Sequence, residues 1–288
     1  MIASAALAKR ALGAFARVFP RCSMIAQAVA YNLFLAFFPT LLIAVGFATS
    51  PLGGHTNLFD LITDFTDLLP PGSQQIVSEF LVNRGPQAWK WALVGWAGTL
   101  IAGTQVMRLL IEGIHMVYND HERMRYWQRQ WRSLALLMVT IAPLLGAAIL
   151  GVFGRPLRRW VAHELGKTQS IEALWGVFFH GAAIFLAMIA LTIIYRMARP
   201  KESTLLNVLP GALVATALWW CVDISFGFYV RRVPYNVVYG GLAAVIGLLI
   251  WMQISSVIFF LGAAWNAELA ETKRRLAHAH DVPQQLPT

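Results

Sequence analysis

Six apolar runs bounded by charge punctuate this chain, approximately Ala28–Thr49, Trp91–Ile114, Leu134–Phe153, Leu174–Tyr195, Leu205–Tyr229 and Val238–Ala264. About 20 apolar residues in a helix are what it takes to cross the hydrocarbon core of a bilayer, so each run predicts a transmembrane helix. The fold class expected is therefore all-α, a polytopic membrane bundle of six transmembrane helices. Composition agrees: 58% of the residues are hydrophobic and 13% charged, against roughly 45–50% and about 25% in ordinary soluble domains. Such content excludes a disordered chain, and two cysteines and 22 glycines exclude disulfide-scaffold and collagen-like folds. The expected organisation is a juxtamembrane helix at 1–23, the membrane domain at 24–270 and a polar tail at 271–288.

The formal charge of +9 would raise nucleic-acid binding in a soluble chain. In a membrane protein, basic loops at the anionic cytoplasmic leaflet account for it, and no nucleic-acid partner is expected. The expected partners are the bilayer and its anionic lipid at the cytoplasmic face. An even number of spans puts both termini on one side. Placing them inside gives fourteen Lys and Arg residues in cytoplasmic segments and eight outside, with Arg108 in a span. That asymmetry predicts cytoplasmic termini, although the basic 155–167 connection counts against it.

Residues 1–23 lack the continuous apolar stretch of a signal peptide, because Lys9, Arg10, Arg17 and Arg21 interrupt it. At about 100° per residue, Leu7, Ala8, Ala11, Leu12, Phe15, Val18 and Phe19 fall on one side and the four basic residues on the other. This is the pattern of an amphipathic helix lying in the inner leaflet. The 51–89 connection repeats the helical period at Leu58, Leu61, Ile62 and Phe65, then at Ile76, Val77 and Phe80, broken by Pro70-Pro71-Gly72. It is expected to form two short helices in an outer, periplasmic loop. The tail beyond Lys273 is polar, contains Pro283 and Pro287, and is expected to be disordered. Cys22 and Cys221 fall too far apart along the bilayer normal to bridge.

Candidate functional residues cluster on the second run. Gln105, Arg108, Glu112 and His115 are spaced three, four and three apart, which puts all four on one helix face. Ionisable groups at membrane depth cost several kcal/mol unless paired or hydrated, and they mark pathways. Two readings stay open: a stripe lining a substrate or ion pathway, or an Arg108–Glu112 pair that neutralises itself with Arg108 reaching for the interface. The stripe faces either a cavity or another copy of the chain, so a homo-oligomer is also admitted. Asp223 is the other intramembrane charge. At about 1.5 Å of rise per residue it lies about 16 Å in depth from Arg108, too far for an ion pair, and is expected to face an outward-open cavity near Arg231 and Arg232.

Pro39 and Pro143 permit kinks in the first and third spans, and small residues four apart, as in Gly98/Ala102, Gly211/Ala215 and Ala243/Gly247, permit close helix approach. Catalytic motifs are poor. Gly166-Lys167-Thr168 lacks the first glycine of a P-loop, whose place is taken by Val161; His163-Glu164 lacks a second His at zincin spacing; His278 and His280 lack further ligands. No catalytic residue, metal site or cofactor is assigned.

Several motifs in order carry a resemblance. Ala30-Tyr31 with Leu35 and Pro39, Ala142-Pro143-Leu144-Leu145-Gly146, Pro210-Gly211-Ala212 with Trp219, Phe226 and Tyr229, Tyr239-Gly240, then Trp251 and Leu261-Gly262-Ala263 together resemble the YihY/virulence factor BrkB family over Met24–Leu269. The resemblance implies a six-helix bacterial inner-membrane protein with both termini inside. It also implies a transporter of unsettled substrate; some members carry a ribonuclease label that the composition here does not support. The chain departs from the pattern at His115-Met116-Val117-Tyr118, where relatives tend to have Asn-x-x-aromatic, and at Gly262-Ala263-Ala264, where many have Gly-Ala-Glu, with Glu268 one turn later.

The functional expectation is a non-enzymatic membrane transporter, an exporter or flipping device for an amphiphile or small organic solute. Arg108 would attract an anionic headgroup, Glu112 and His115 would tune it or relay a proton, and Asp223 would serve the outer half. The alternative is a scaffold docking partners through the 51–89 and 119–132 connections; an enzyme built on His115 and Glu112 ranks third.

Overall fold

The computed structural model describes residues 2–19, 21–48, 88–120, 125–165, 168–199, 204–232 and 241–281. The expected helices of the outer loop, Tyr239-Gly240 and the end of the tail lie outside them. Within the described residues the chain forms α1 (Ile2–Val18), α2 (Arg21–Ala48), α3 (Ala88–Val117), α4 (Tyr126–Leu165), α5 (Thr168–Ala198), α6 (Leu205–Arg232) and α7 (Gly241–Asp281).

Five of these carry stretches long and apolar enough to cross a membrane: Cys22–Thr40, Leu93–Val117, Gly181–Ala198, Leu205–Phe228 and Val245–Ala277. The run expected at Leu134–Phe153 is helical throughout, inside α4, but it is not among the five. At the other end of the chain the tail departs from expectation, because α7 stays helical to Asp281. An i,i+4 pair between Glu271 and Arg275 supports that extension.

The chain divides into two compact units. The first joins Met1–Ser23, Ile111–Trp219 and Ile258–Thr288; the second joins Met24–Leu110 and Trp220–Val257. In the first unit, α4 and α5 run antiparallel, with Gly146 against Leu186 and Arg132 against the end of α5. Phe260, Ile114 and Leu136 are among its fully buried side chains, and the Phe260 ring lies where a Gly113 side chain would stand.

In the first unit α6 and α7 also approach closely. Pro210 has no N–H and its ring crowds the carbonyl one turn back, so it disturbs the α6 ladder. Asn266, 2% exposed, bonds the backbone on either side of it from α7: the Gly211 N–H donates to Asn266 Oδ1 at 2.7 Å, and Asn266 Nδ2 donates to the Val208 carbonyl at 2.9 Å. Beside it the Tyr195 hydroxyl donates to the Phe259 carbonyl at 2.7 Å. Glycine is required on both sides of this crossing. A Cβ on Gly262 would lie 2.5 Å from Tyr195 Oη and 2.6 Å from the Gly211 carbonyl oxygen, and one on Gly211 would run into the Gly262 carbonyl.

Helix α1 forms as expected over Ile2–Val18, and its end is bound by contacts that its own sequence does not announce. Arg17 turns towards α7, where Glu268 and Glu271 accept its hydrogen bonds, and Ala14, Val18 and Cys22 are buried with it. Leu12 and Phe15 are exposed, at 75% and 56%, and Phe15 stacks on Phe19. The carboxylates that reorient Arg17 come from the far end of the chain, so helical periodicity could not reveal them.

In the second unit Pro39 of α2 packs on α3, where Cβ atoms at Gly95 and Gly98 would lie 2.7 Å from its carbonyl oxygen and 2.9 Å from its ring. Gly262→Ala is expected to destabilise the protein by roughly 1–3 kcal/mol through overpacking. A lowered midpoint of thermal unfolding in detergent, with a smaller drop for Gly181→Ala, whose Cβ would meet nothing within 4 Å, checks this.

Candidate functional site

The four residues of the predicted stripe all lie on α3, and three-dimensional neighbours divide them. Gln105 and Arg108 are half-buried. Glu112 is exposed and accepts from Arg129 of α4, so its counter-charge is not Arg108. His115 is mostly buried, with Nδ1 3.4 Å from Asp120 Oδ2. Arg108 has no carboxylate partner among the described residues. Asp223 on α6 accepts a hydrogen bond from the Trp251 indole of α7 at 3.2 Å and is otherwise exposed. The side chains of Arg231 and Arg232 lie outside the described residues.

A second cluster, in the first unit, grows from the end of α3. The helix stops because Asn119 adopts φ 51°, a left-handed conformation that Asn tolerates. The Asp120 N–H then bonds the His115 carbonyl at 2.9 Å and the Asn119 N–H the Met116 carbonyl at 3.1 Å, the paired closure of a Schellman motif. This turn folds the Asp120 carboxylate back over the helix end. There it lies 3.4 Å from both His115 Nδ1 and Arg199 Nε, while the Arg199 guanidinium stacks over the Tyr118 ring at 3.9 Å.

Neighbouring helix ends complete the arrangement. Arg132 donates to the last carbonyls of α5, Met197 at 2.7 Å and Ala198 at 2.6 Å, which satisfies orphan acceptors and holds Arg199 just beyond. Arg17 reaches the Val117 carbonyl at the end of α3 at 3.5 Å besides its two glutamates on α7. Burial alone would lower the Arg17 pKa, but Glu268 and Glu271 together hold it above the ordinary arginine value, so it stays cationic. Gly13 admits the Glu268 carboxyl, whose Cδ lies 2.9 Å from where a Cβ would stand. The glutamate displaced by one turn from the Gly-Ala-Glu pattern is thus the residue that binds α1.

A cavity of about 150 Å³ opens in this cluster, with Arg17, Tyr118, Asn119, Arg199, Glu271 and Arg274 on its walls. Sequence reasoning did not assemble these residues into a site. It counted the arginines only as topology markers, and the one local signal was the Asn119-Asp120 pair following an apolar run. Among the described residues no group of three His, Cys, Asp or Glu side chains is placed to hold a metal ion.

Five helices long and apolar enough to cross a membrane define the class, an integral membrane protein. The chain belongs to the virulence factor BrkB family, whose model matches residues 19–285. It is 25% identical over 251 residues to a Bacillus subtilis protein that carries the name ribonuclease-like protein YfkH, covering 85% of this chain and 89% of that one. It is 26% identical to a UPF0761 membrane protein of Alkalilimnicola ehrlichii and 28% identical to one of Halorhodospira halophila. The alignments cover 86% and 84% of this chain but only 55% and 53% of those two relatives, so it spans about half their length. No solved structure matches the chain.

Loss of the Arg17 contacts should free α1. In Arg17→Gln, amide hydrogen exchange over residues 2–18 is expected to rise, since charged hydrogen bonds contribute about 1.5–3 kcal/mol each, while exchange over α5 stays at the wild-type level. Unchanged protection of α1 would refute its attachment through Arg17.

Proposed function

We propose that this protein moves an anionic amphiphile across the bacterial inner membrane, with both termini in the cytoplasm. The observation that carries the reading is Arg108: it lies within the apolar stretch Leu93–Val117 and has no carboxylate partner among the described residues. An arginine at the centre of a membrane helix costs about 2.5–3.5 kcal/mol on insertion scales, and an anion beside it offsets that cost. Glu112, the nearest candidate on the same face, is engaged by Arg129. Asp223, also at membrane depth, is engaged by Trp251. A counter-charge delivered by a transported molecule therefore fits Arg108 better than one supplied by its helix. Gln105, one turn away on the same face, would orient the headgroup as a neutral hydrogen-bonding group.

The name of the Bacillus subtilis relative raises ribonuclease activity, but nothing in the geometry around His115 favours it, because the imidazole faces Asp120 at a helix cap. With both termini in the cytoplasm, basic loops at the inner leaflet account for the charge of +9 without a nucleic-acid partner.

Native mass spectrometry of the protein purified in mild detergent from a bacterial membrane tests this. Wild type is expected to retain an anionic lipid or metabolite, and Arg108→Gln to lose it by roughly tenfold or more. Equal retention by both, or none by either, would overturn the reading. A cellular phenotype that survives Arg108→Gln and disappears on deletion of 51–89 would replace transport with the docking scaffold.

A further inference from the structure

We propose that the cavity between α1, the end of α3, the end of α5 and α7 is a binding site for a phosphate ester. This does not rest on the transport reading. Three guanidinium groups, those of Arg17, Arg199 and Arg274, share its walls with one carboxylate, Glu271. They come from α1, from the residue just beyond α5 and from α7, and several guanidinium donors gathered at one opening suit a tetrahedral oxyanion with several acceptor oxygens. A planar carboxylate would engage one fork and leave the others facing it. Tyr118 and Asn119 add neutral hydrogen-bonding groups at the same opening.

The arginines are also held from behind. Glu268 accepts from Arg17, and Asp120 accepts from Arg199 at 3.4 Å, while the Tyr118 ring lies under the Arg199 guanidinium. Such contacts fix long side chains before a ligand arrives and reduce the entropy lost on binding it. Ala267 and Ala270 of α7 leave the room: the volume, about 150 Å³, takes a phosphate group and the first atoms of its ester chain.

Depth points to the polar boundary of the membrane. At the start of α4, shortly after Asn119 in the chain and in the same compact unit, Tyr126, Trp127 and Trp131 are exposed. Exposed Tyr and Trp at a helix end mark the headgroup level. At that level a phosphate ester has two sources, an anionic phospholipid or a soluble metabolite, and both present the same group to the arginines.

The test uses the full-length protein in neutral detergent, with binding followed by thermal shift and native mass spectrometry. The probes are inorganic phosphate, dioleoyl phosphatidic acid and, as the uncharged comparison, dioleoyl phosphatidylcholine. Arg274 is exposed on α7, so Arg274→Glu puts a second carboxylate at the cavity without touching the core. Lys273→Glu makes the same charge change next to it, on a side chain that bonds Asn207 instead. Glu271→Gln removes the one carboxylate on the walls, and Glu268 remains to hold Arg17.

Wild type is expected to bind phosphate, phosphatidic acid or both, and phosphatidylcholine at least about tenfold more weakly. Arg274→Glu should weaken binding roughly tenfold or more and Lys273→Glu by less than about twofold, whereas Glu271→Gln should strengthen it severalfold. Binding of phosphatidic acid alone assigns the site to a lipid headgroup, and binding of phosphate alone to a soluble ester. Failure of wild type to bind either, equal weakening by Arg274→Glu and Lys273→Glu, or weakening by Glu271→Gln would each overturn the proposal.

Discussion

Away from water, every interrupted stretch of helix must find new partners for its backbone N–H and C=O groups, and most of the polar chemistry of this protein answers that requirement. Pro210 cannot donate to the α6 ladder, and next to it Asn266 supplies both an acceptor for Gly211 and a donor for Val208. Such a side chain can reach only because Gly211 and Gly262 let the two backbones touch. At the close of α5 the same task falls to Arg132, and at the close of α3 to Asn119, Asp120 and Arg17.

Those repairs concentrate charge where helices end. Arg17 and Arg199 are positioned by carboxylates and by a ring, not by any ligand, so the rigidity of the arginine-lined cavity is a by-product of finishing α3 and α5. Within the α3 stripe the consequence is the opposite. Glu112 is drawn off to Arg129, and the positive charge at Arg108 is left facing its own surroundings.

The helices were legible in the sequence because each apolar run exceeds what a soluble core helix needs, and all six expected runs fall largely within helices. Their ends were less legible. Polar residues beyond Lys273 read as a disordered tail, although α7 continues to Asp281 and uses the helical Glu271–Arg275 spacing. The stripe from Gln105 to His115 could be placed on one face from spacing alone, but spacing could not say that Glu112 would turn to another helix. Asn266 offered no signal, being a single amide among alanines and a tryptophan. Residues 17, 118, 199 and 274 meet through tertiary packing across most of the chain, and no local pattern links them.

The bond between Arg17 and Glu268 spans 251 residues of sequence. During synthesis α1 is made long before the two glutamates that hold Arg17, so those ion pairs form only once α7 exists. A chain truncated in its last helix would therefore present a loose basic amphiphile at its amino terminus.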